Sequence, residues 1–297
     1  MQRVQSVQFI VNPISGGKDK GKVLSAIERH LDPALFSYHI SVTTKQGEAT
    51  SLASQSQADI VVAVGGDGTV SEVARGLLGR NKTFGVIPCG SGDGLALHLG
   101  ISRNPVKAVQ MLSTCHPVPM DVGWMNGEPF FCTVGLGLDA RVSLDFSHSA
   151  KRGLPRYISL AWHEWLRSKS DTFVISSDGK ELWAGEAVFV VAANINQWGN
   201  QARIAPMASV TDGLLDIIAV PRFSAVEIPD LATRLMLGKA QTSRRFIHFS
   251  GTSFQILRKN SGAVQYDGDP REGGTAFNLS VSPGELSVLV PNSKVAI

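Results

Sequence analysis

Cysteine is scarce in this chain: Cys89, Cys115 and Cys132 are the only three. An odd number with no metal-ligand spacing argues against a disulfide framework or a thiolate zinc site, and points to reduced thiols in a cytoplasmic compartment. Long apolar runs are also missing. The best of them, Ala187–Ala193, is too short to span a bilayer. The opening Met1-Gln2-Arg3-Val4-Gln5 carries no signal-peptide hydrophobic region. A cytoplasmic protein is therefore expected, reaching membranes only peripherally. Charge of one sign is lacking too. A net +3 with 18% charged residues is far from the dense basic character of a nucleic-acid binder, so nucleic acid is not an expected partner. The mild excess still suits anionic nucleotides or an anionic membrane surface. No internal repeat or low-complexity linker is present. What remains is 297 residues with 43% hydrophobic content, enough for one large globular domain or two ordinary ones.

The most informative stretch is Ile60-Val61-Val62-Ala63-Val64-Gly65-Gly66-Asp67-Gly68-Thr69-Val70-Ser71-Glu72. Five apolar residues, mostly β-branched, run into a glycine-rich turn. Beyond it Val70, Val73, Ala74, Leu77 and Leu78 recur at helical spacing. Strand, glycine turn and helix N-terminus follow one another, an arrangement that brings backbone N–H groups close to a phosphate and favours its negative charge. A carboxylate at Asp67 would repel a phosphate unless a cation lay between them, which points to a Mg-nucleotide. The plain alternative is a tight strand–helix turn with Asp67 as a helix cap.

The grammar changes near residue 118. Before it, strands (Val7–Val11, Tyr38 to Val42, Ile60–Val64, Phe84–Ile87) alternate with helical patterns (Val23 to Leu31, Ala49 to Ala53, after Pro105). That order implies a mostly parallel sheet covered on both faces, with ligands at the carboxyl ends of its strands. After 118 the pattern is mainly β. Asn126-Gly127 and Asp178-Gly179 read as hairpin turns. Strands are expected at Ala187–Ala193, Leu214–Val220, Phe254–Leu257, Ala263–Tyr266, Phe277–Val281 and Leu286–Val290, with helical insertions at about Leu154–Arg167 and Ala225–Leu237. The expected fold is α/β: a parallel-sheet nucleotide-binding domain over 1–118, joined by the C-terminal tail about 286–297, and an antiparallel β-rich substrate domain over 119–285. The site is expected in the cleft between them.

Three further turns carry glycine. Asn12-Pro13-Ile14-Ser15-Gly16-Gly17-Lys18 follows the first strand but lacks the spacing of a Walker loop, and an ordinary surface turn stays open. Pro88-Cys89-Gly90-Ser91-Gly92-Asp93-Gly94 has more glycine than a turn needs, which favours close approach to a ligand. Tyr266-Asp267-Gly268-Asp269 could supply a general base and a metal-linked partner, or simply close a hairpin.

Taken together these segments resemble the diacylglycerol kinase catalytic family, which includes bacterial lipid kinases and sphingosine kinases. The resemblance covers nearly the whole chain: Asn12-Pro13-x-Ser15-Gly16, Thr43 with Gly47 and Ala49, Gly65–Glu72, Gly90-Ser91-Gly92, Gly135-x-Gly137-x-Asp139-Ala140, Ile204-Ala205-Pro206, Asp212–Asp216 and Asp267-Gly268-Asp269. It implies the two-domain kinase fold shared with NAD kinases, and the cofactors ATP and Mg²⁺. Asn12, Ser15, Gly16, Thr43, Gly65, Gly66, Asp67, Gly68, Thr69, Glu72, Gly90, Ser91 and Gly92 then match nucleotide-binding positions. Asp67 matches the carboxylate that organises catalytic Mg²⁺ and its waters. Asp267 matches the general base, with Asp269 where the family usually has Glu. Asp212, with the backbone carbonyls of Ser209 and Leu214, matches a structural Mg²⁺ site. Lys18, Lys151 and Arg152 match phosphate contacts.

The chain departs from the family in its third loop. Many bacterial members have Gly-Thr-Gly-Asn-Asp where this chain has Gly90-Ser91-Gly92-Asp93-Gly94. The expected activity is ATP-dependent phosphorylation of a primary hydroxyl on diacylglycerol or a sphingoid base. The alternatives are a small-molecule kinase of the NAD kinase type and a non-catalytic lipid-binding regulator. The lipid is placed against Tyr157–Leu166, whose Ile158, Ala161, Trp162, Trp165 and Leu166 fall at helical spacing. A core helix is the competing reading. The sphingosine-kinase resemblance makes Asp139 a head-group contact. Expected partners are a lipid at the membrane surface, met transiently, and a second copy of the chain in a homodimer.

Overall fold

A computed structural model describes residues 3–15, 20–147, 160, 163–165 and 170–292. The chain divides into two compact units, Met1–Met120 with Gly284–Ile297, and Asp121–Pro283. In chain order the first half contains β1 (Gln5–Val11), α1 (Lys20–His30), β2 (Phe36–Val42), α2 (Glu48–Ser54), β3 (Ile60–Gly65), α3 (Asp67–Leu77), β4 (Thr83–Pro88), α4 (Gly94–His98) and α5 (Pro105–Leu112). There follow β5 (Cys115–Met125), β6 (Glu128–Phe130), β7 (Thr133–Gly137), α6 (Leu138–Ser147), β8 (Asp171–Ser177), β9 (Lys180–Ala187), β10 (Phe189–Ala193) and β11 (Leu215–Val220). The chain continues through α7 (Ile228–Leu237), β12 (Ile247–Gly251), β13 (Ser253–Arg258), β14 (Gly262–Tyr266), β15 (Asp269–Gly273) and β16 (Ala276–Pro291).

In the first unit β2, β1, β3 and β4 lie side by side and all run parallel. The end of β16 extends them, with Ser287 beside Thr83 and Val288 beside Phe84. Every residue of β3 is buried, the condition of a strand covered on both faces, and its unbroken apolar sequence follows from that. Helix α3 turns Val70, Val73, Ala74 and Leu77 inward. The Asn104 side chain caps α5 by accepting from the Lys107 N–H at 3.2 Å, and Pro105 takes the first turn, where its missing N–H costs nothing.

The second unit holds two antiparallel layers. One runs β12-β11-β10-β7-β14-β15. The other joins the first half of β16 to β13, β8 and β9. Their facing side chains form one core that includes Phe173, Ile175, Val190, Leu215, Ile217, Phe254 and Phe277. Phe189, Val191, Ile218 and Val220 point the other way, into a second core with Leu138 and Val142 of α6 and Leu231 of α7. Strands β10 and β11 are thus buried on both faces, so they read as continuous apolar runs even though their neighbours are antiparallel.

The fold is the expected parallel-plus-antiparallel arrangement, with local differences. The run Ala187–Ala193 is split at Val188 between β9 and β10, because the Val188 N–H leaves the ladder to donate to Val220 O at 2.8 Å. Phe277–Val281 and Leu286–Val290 are parts of the single strand β16. The helical insertion at 225–237 begins as a 3₁₀ turn, Ala225–Glu227, before α7. Of the insertion at 154–167, residues 160 and 163–165 are described, and all four are helical.

Candidate functional site

Parallel strands end on the same edge, so four loops meet at the carboxyl edge of the first unit's sheet. The Asn12 N–H donates to Val64 O (3.1 Å), Thr43 N–H to Val11 O (2.9 Å) and Cys89 N–H to Gly65 O (2.7 Å), one step beyond each strand. Asn12 Nδ2 reaches across to Thr69 Oγ1 at 3.1 Å, tying the first loop to the start of α3. Asn12 Oδ1 accepts from the Ile14 N–H, and the Ser15 hydroxyl donates to Asn12 O. Thr43 is buried and its hydroxyl also donates to Val11 O.

Helix α3 opens at Gly66 with no side-chain cap. The first N–H groups of a helix have no intrahelical acceptors, and they sit at the positive end of its dipole. Asp67 does not cap its own helix. Its Oδ1 accepts from Gly94 N–H (2.8 Å) and its Oδ2 from Asp93 N–H (3.0 Å), binding the Gly90–Gly94 loop to the start of α3. Burial pushes the Asp67 carboxyl above its ordinary range, the two N–H donors oppose this, and the neighbouring Asp93 charge adds to it.

The glycines of the third loop serve the protein before any ligand. A Cβ on Gly90 would lie 2.8 Å from the Gly66 Cα, and one on Gly92 would lie 2.7 Å from Asp67 Oδ2. Close approach of the two loops to each other therefore requires both. Asp93, the residue that departs from the family pattern, adopts the left-handed conformation (φ 53°) that Asp and Asn tolerate. Its Oδ1 accepts from Gly90 N–H at 2.6 Å, and its Oδ2 pairs with Arg103 Nε at 3.0 Å. The Arg103 guanidinium also donates to Ser91 O at 3.1 Å and to Gly90 O at 3.4 Å. The Asp93 side chain is 1% exposed, so Arg103 neutralises a buried charge and fixes the loop's carbonyls together.

Glu72, one turn into α3, points at α2. Its carboxylate accepts from Gly47 N–H (3.0 Å) and Ala49 N–H (3.3 Å), supplying from outside the cap that Gly47 cannot give. Two residues here were not singled out in the sequence. Lys20 is buried and donates to Ser15 O at 2.6 Å. Arg103 had no signal beyond its position ten residues after an unexpected aspartate.

In the second unit Asp267 and Gly268 form a two-residue hairpin between β14 and β15, both at positive φ (51° and 86°), with Tyr266 opposite Asp269. The Asp267 carboxylate is held by three successive backbone N–H groups. Its Oδ1 accepts from Cys132 at 2.7 Å and its Oδ2 from Phe131 at 3.0 Å, while Thr133 N–H donates to Oδ1 at 3.2 Å. Gln265 braces the same turn. Its Oε1 accepts from Gly268 N–H at 2.6 Å, and its Nε2 donates to Asp139 Oδ2 at 2.8 Å and Thr133 Oγ1 at 3.3 Å. Asp139 is 3% exposed. Burial pushes its carboxyl up to about 6, against the pull of Gln265. A Cβ on Gly135 would collide with its Oδ2 at 1.7 Å, so glycine at 135 makes room for this carboxylate. Asp269 is exposed and faces Arg271 at 3.5 Å, and the Arg271 guanidinium lies 4.9 Å over the Tyr266 ring.

Asp212 forms a local turn, its Oδ1 accepting from Leu214 N–H at 3.0 Å. The Ser209 and Thr211 hydroxyls lie 3.1 Å apart, and Asp121 Oδ2 accepts from Gly213 N–H at 2.6 Å. Burial pushes the Asp212 carboxyl up, opposed by the Leu214 N–H and reinforced by Asp216 and Asp121. Among the described residues no three His, Cys, Asp or Glu side chains converge to hold a metal by themselves. Asp121 is engaged by the Gly213 N–H and Asp216 by His248, which leaves the Asp212 carboxylate and the turn carbonyls as oxygen donors of the kind a hard cation takes with water.

Trp165 stacks on Phe223 with centroids 5.8 Å apart and packs on the second unit's outer core. Gly16, Lys18, Lys151, Arg152 and Trp162 lie outside the described residues. No helix among the described residues is long and apolar enough to cross a membrane.

Comparison with known proteins agrees with this geometry. Residues 6–125 match the diacylglycerol kinase catalytic domain, and residues 132–290 match the YegS C-terminal NAD kinase beta sandwich-like domain. A protein of Bacillus subtilis named "Diacylglycerol kinase" is 28% identical over 277 residues, covering 90% of each chain. One of Klebsiella pneumoniae named "Probable lipid kinase YegS-like" is 27% identical over 263 residues, covering 85% of this chain and 86% of the other. The crystal structure of a Bacillus anthracis diacylglycerol kinase superposes with a TM-score of 0.76 over 99% of this chain and all of that one, at 24% identity, a likeness of fold. The carboxyl-edge loops around Asp67 and the braced Asp267 hairpin fall one in each matched domain, and the chain belongs to the diacylglycerol kinase catalytic family with the YegS-type C-terminal domain.

Proposed function

We propose that this chain is an ATP- and Mg²⁺-dependent kinase that phosphorylates a hydroxyl of a membrane lipid, with diacylglycerol as the acceptor class. The observation that carries this reading is the uncapped start of α3 at the carboxyl edge of the first unit's sheet, ringed by Asn12, Thr43 and the Gly90–Gly92 loop. Asp67 there supplies the carboxylate that a Mg-nucleotide needs. Gly66, Gly68 and Thr69 would offer backbone N–H groups to phosphate, and Asn12 and Thr43 would border the nucleotide. Bound Mg²⁺ would neutralise charge on the transferring phosphoryl group, where most of the catalysis in such reactions resides. Asp67 would hold that ion's waters in place.

Asp267 is assigned the acceptor's proton. Three backbone N–H donors fix its carboxylate, and a general base must be held in register with the hydroxyl it serves. Asp269 is the reserve for that role. Asp212, with the carbonyls of Ser209 and Leu214, is assigned a structural cation. Asp139 favours diacylglycerol over a sphingoid base. A carboxylate 3% exposed and bonded to Gln265 is better suited to bracing the hairpin than to pairing with an ammonium head group.

Radiolabelled ATP with Mg²⁺, offered to a panel of diacylglycerol, sphingosine and NAD, tests the reading. Label is expected on diacylglycerol. Label on NAD alone, or on none of the three with folded protein, would refute it.

A further inference from the structure

The second unit carries an apolar patch that neither the hairpin nor the acidic turn uses. Among the described residues, the large apolar side chains more than half exposed are Ile14, Met207, Val226 and Leu237, and three of these four are in the second unit. Val226 (85% exposed) lies in the 3₁₀ turn before α7, and Leu237 (62%) ends the helix. The 3₁₀ turn leads directly into α7, so the two residues stand at opposite ends of one helical segment, with Asp230 and Thr233 exposed between them and Met236 (49%) next to Leu237. The loop bearing Met207 is bound to the end of that helix, since Arg203 N–H donates to Leu235 O at 2.9 Å. Isolated exposed apolar residues are ordinary, whereas a cluster this exposed on one element marks a contact surface.

The charge around the patch identifies what the surface meets. Between Pro221 and Phe246 there are five basic side chains against two acidic ones. Both acids are already paired, Asp230 with Arg234 at 2.7 Å and Glu227 with Arg245 at 2.8 Å. Lys239, Arg244 and Arg203 are exposed at the rim, and their charge is not cancelled by either carboxylate. Shallow apolar insertion ringed by cations is the pattern of a helix lying in the interface of an anionic membrane. We propose that the α7 face, with Val226, Met236, Leu237 and Met207 inserting and Lys239, Arg244 and Arg203 on the headgroups, docks the protein on an anionic lipid bilayer. This rests on the lipid-kinase reading for its biological purpose, but its physical content is independent of it.

Co-sedimentation of the full chain with phosphatidylcholine vesicles, and with vesicles half phosphatidylglycerol, provides the test. The unaltered protein is expected to bind the anionic vesicles, and added salt should weaken that binding. Val226→Ser with Leu237→Ser should weaken it about ten-fold, and Lys239→Gln with Arg244→Gln should weaken it about five-fold per charge removed. Thermal melts should match the parent, since these side chains are exposed. All variants should phosphorylate a dispersed short-chain diacylglycerol normally while losing activity on vesicle-borne substrate. Anionic-vesicle binding untouched by both pairs of substitutions, or absent altogether, overturns the docking face. So does a concentration-dependent dimer in light scattering that Val226→Ser with Leu237→Ser abolishes, because the patch would then cover a second copy. Vesicle binding as expected, with no lipid phosphorylated, would defeat the kinase reading and leave the docking face standing.

Discussion

Replacing Asp139 by Asn should make the protein more stable at neutral pH, the reverse of the usual result for a buried hydrogen-bonded carboxylate. Burial holds this carboxyl at about 6, against 3.8 for an ordinary aspartate. Well below 3.8 the folded and unfolded states both bind the proton, and Asp139 contributes nothing to the pH dependence. As pH rises from there to 6 the unfolded chain ionises first, so the folded state loses ground. Above 6 both are ionised, and the folded state carries the full cost of a charge in a dry site, about 3 kcal/mol. Asparagine removes the ionisation. Its carbonyl can still accept from Gln265 Nε2, and it is no larger, so the space left by Gly135 suffices.

The advantage of Asp139→Asn should accordingly grow by about 2 kcal/mol between about pH 4.5 and about pH 8. An unplaced amide N–H would lower the whole curve by about 1 kcal/mol without changing its slope. Urea unfolding of both proteins at a series of pH values gives the difference directly, since every other titrating group is common to the two. A difference independent of pH would show that Asp139 ionises normally in the folded state, and the account of its burial would fail. The same variant bears on substrate. If Asp139 braces the hairpin through Gln265, its replacement should leave the preference between diacylglycerol and sphingosine unchanged. A selective loss of sphingosine phosphorylation would instead make it a head-group contact.

Asp67→Asn should reduce kcat by about 10²-fold or more with a smaller effect on ATP binding, and near-normal turnover would remove Asp67 from the metal's surroundings. Arg103→Met should cost about 2–4 kcal/mol in urea unfolding by leaving Asp93 buried without its cation. Asp93→Asn in the same chain should recover most of that, and additive losses in the double variant would refute the charge compensation. Asp212→Ala should abolish any rise in the thermal midpoint produced by Mg²⁺, a rise worth about 3 kcal/mol at a hundred times the dissociation constant. Equal stabilisation of parent and variant by Mg²⁺ would rule out a cation at that turn.

The elements legible in the sequence are those whose burial repeats with a period. Strand β3 and helix α3 stand out because one is wholly buried and the other presents a single stripe to the sheet. Strand β5 does not, since Pro117 and Pro119 interrupt a stretch that would otherwise read as extended. Strand β7, Thr-Val-Gly-Leu-Gly, hides for a different reason: Gly135 is present to admit the Asp139 carboxylate, so a residue that weakens the strand pattern is explained only by a side chain four positions on. Helix α4 has five residues, too few for a helical repeat to declare itself.

The site divides along the same line. Residues whose role is carried by backbone geometry announced themselves as glycine-rich turns, and the structure gathers Asn12, Thr43, Gly66 and Gly90 on one sheet edge. Residues whose role is to satisfy another side chain did not. Arg103 has meaning only once Asp93 is seen to be buried, and Gln265 only once Asp139 and the Gly268 N–H are seen on either side of it. Asp93 shows why a departure from a family motif is a weak sign of lost function when read alone. The left-handed conformation accepts Asp as readily as Asn, its Oδ1 still accepts the Gly90 N–H, and the extra charge is met by a guanidinium 3.0 Å away. The substitution and its compensation are ten residues apart in the chain, and only folding places them in contact.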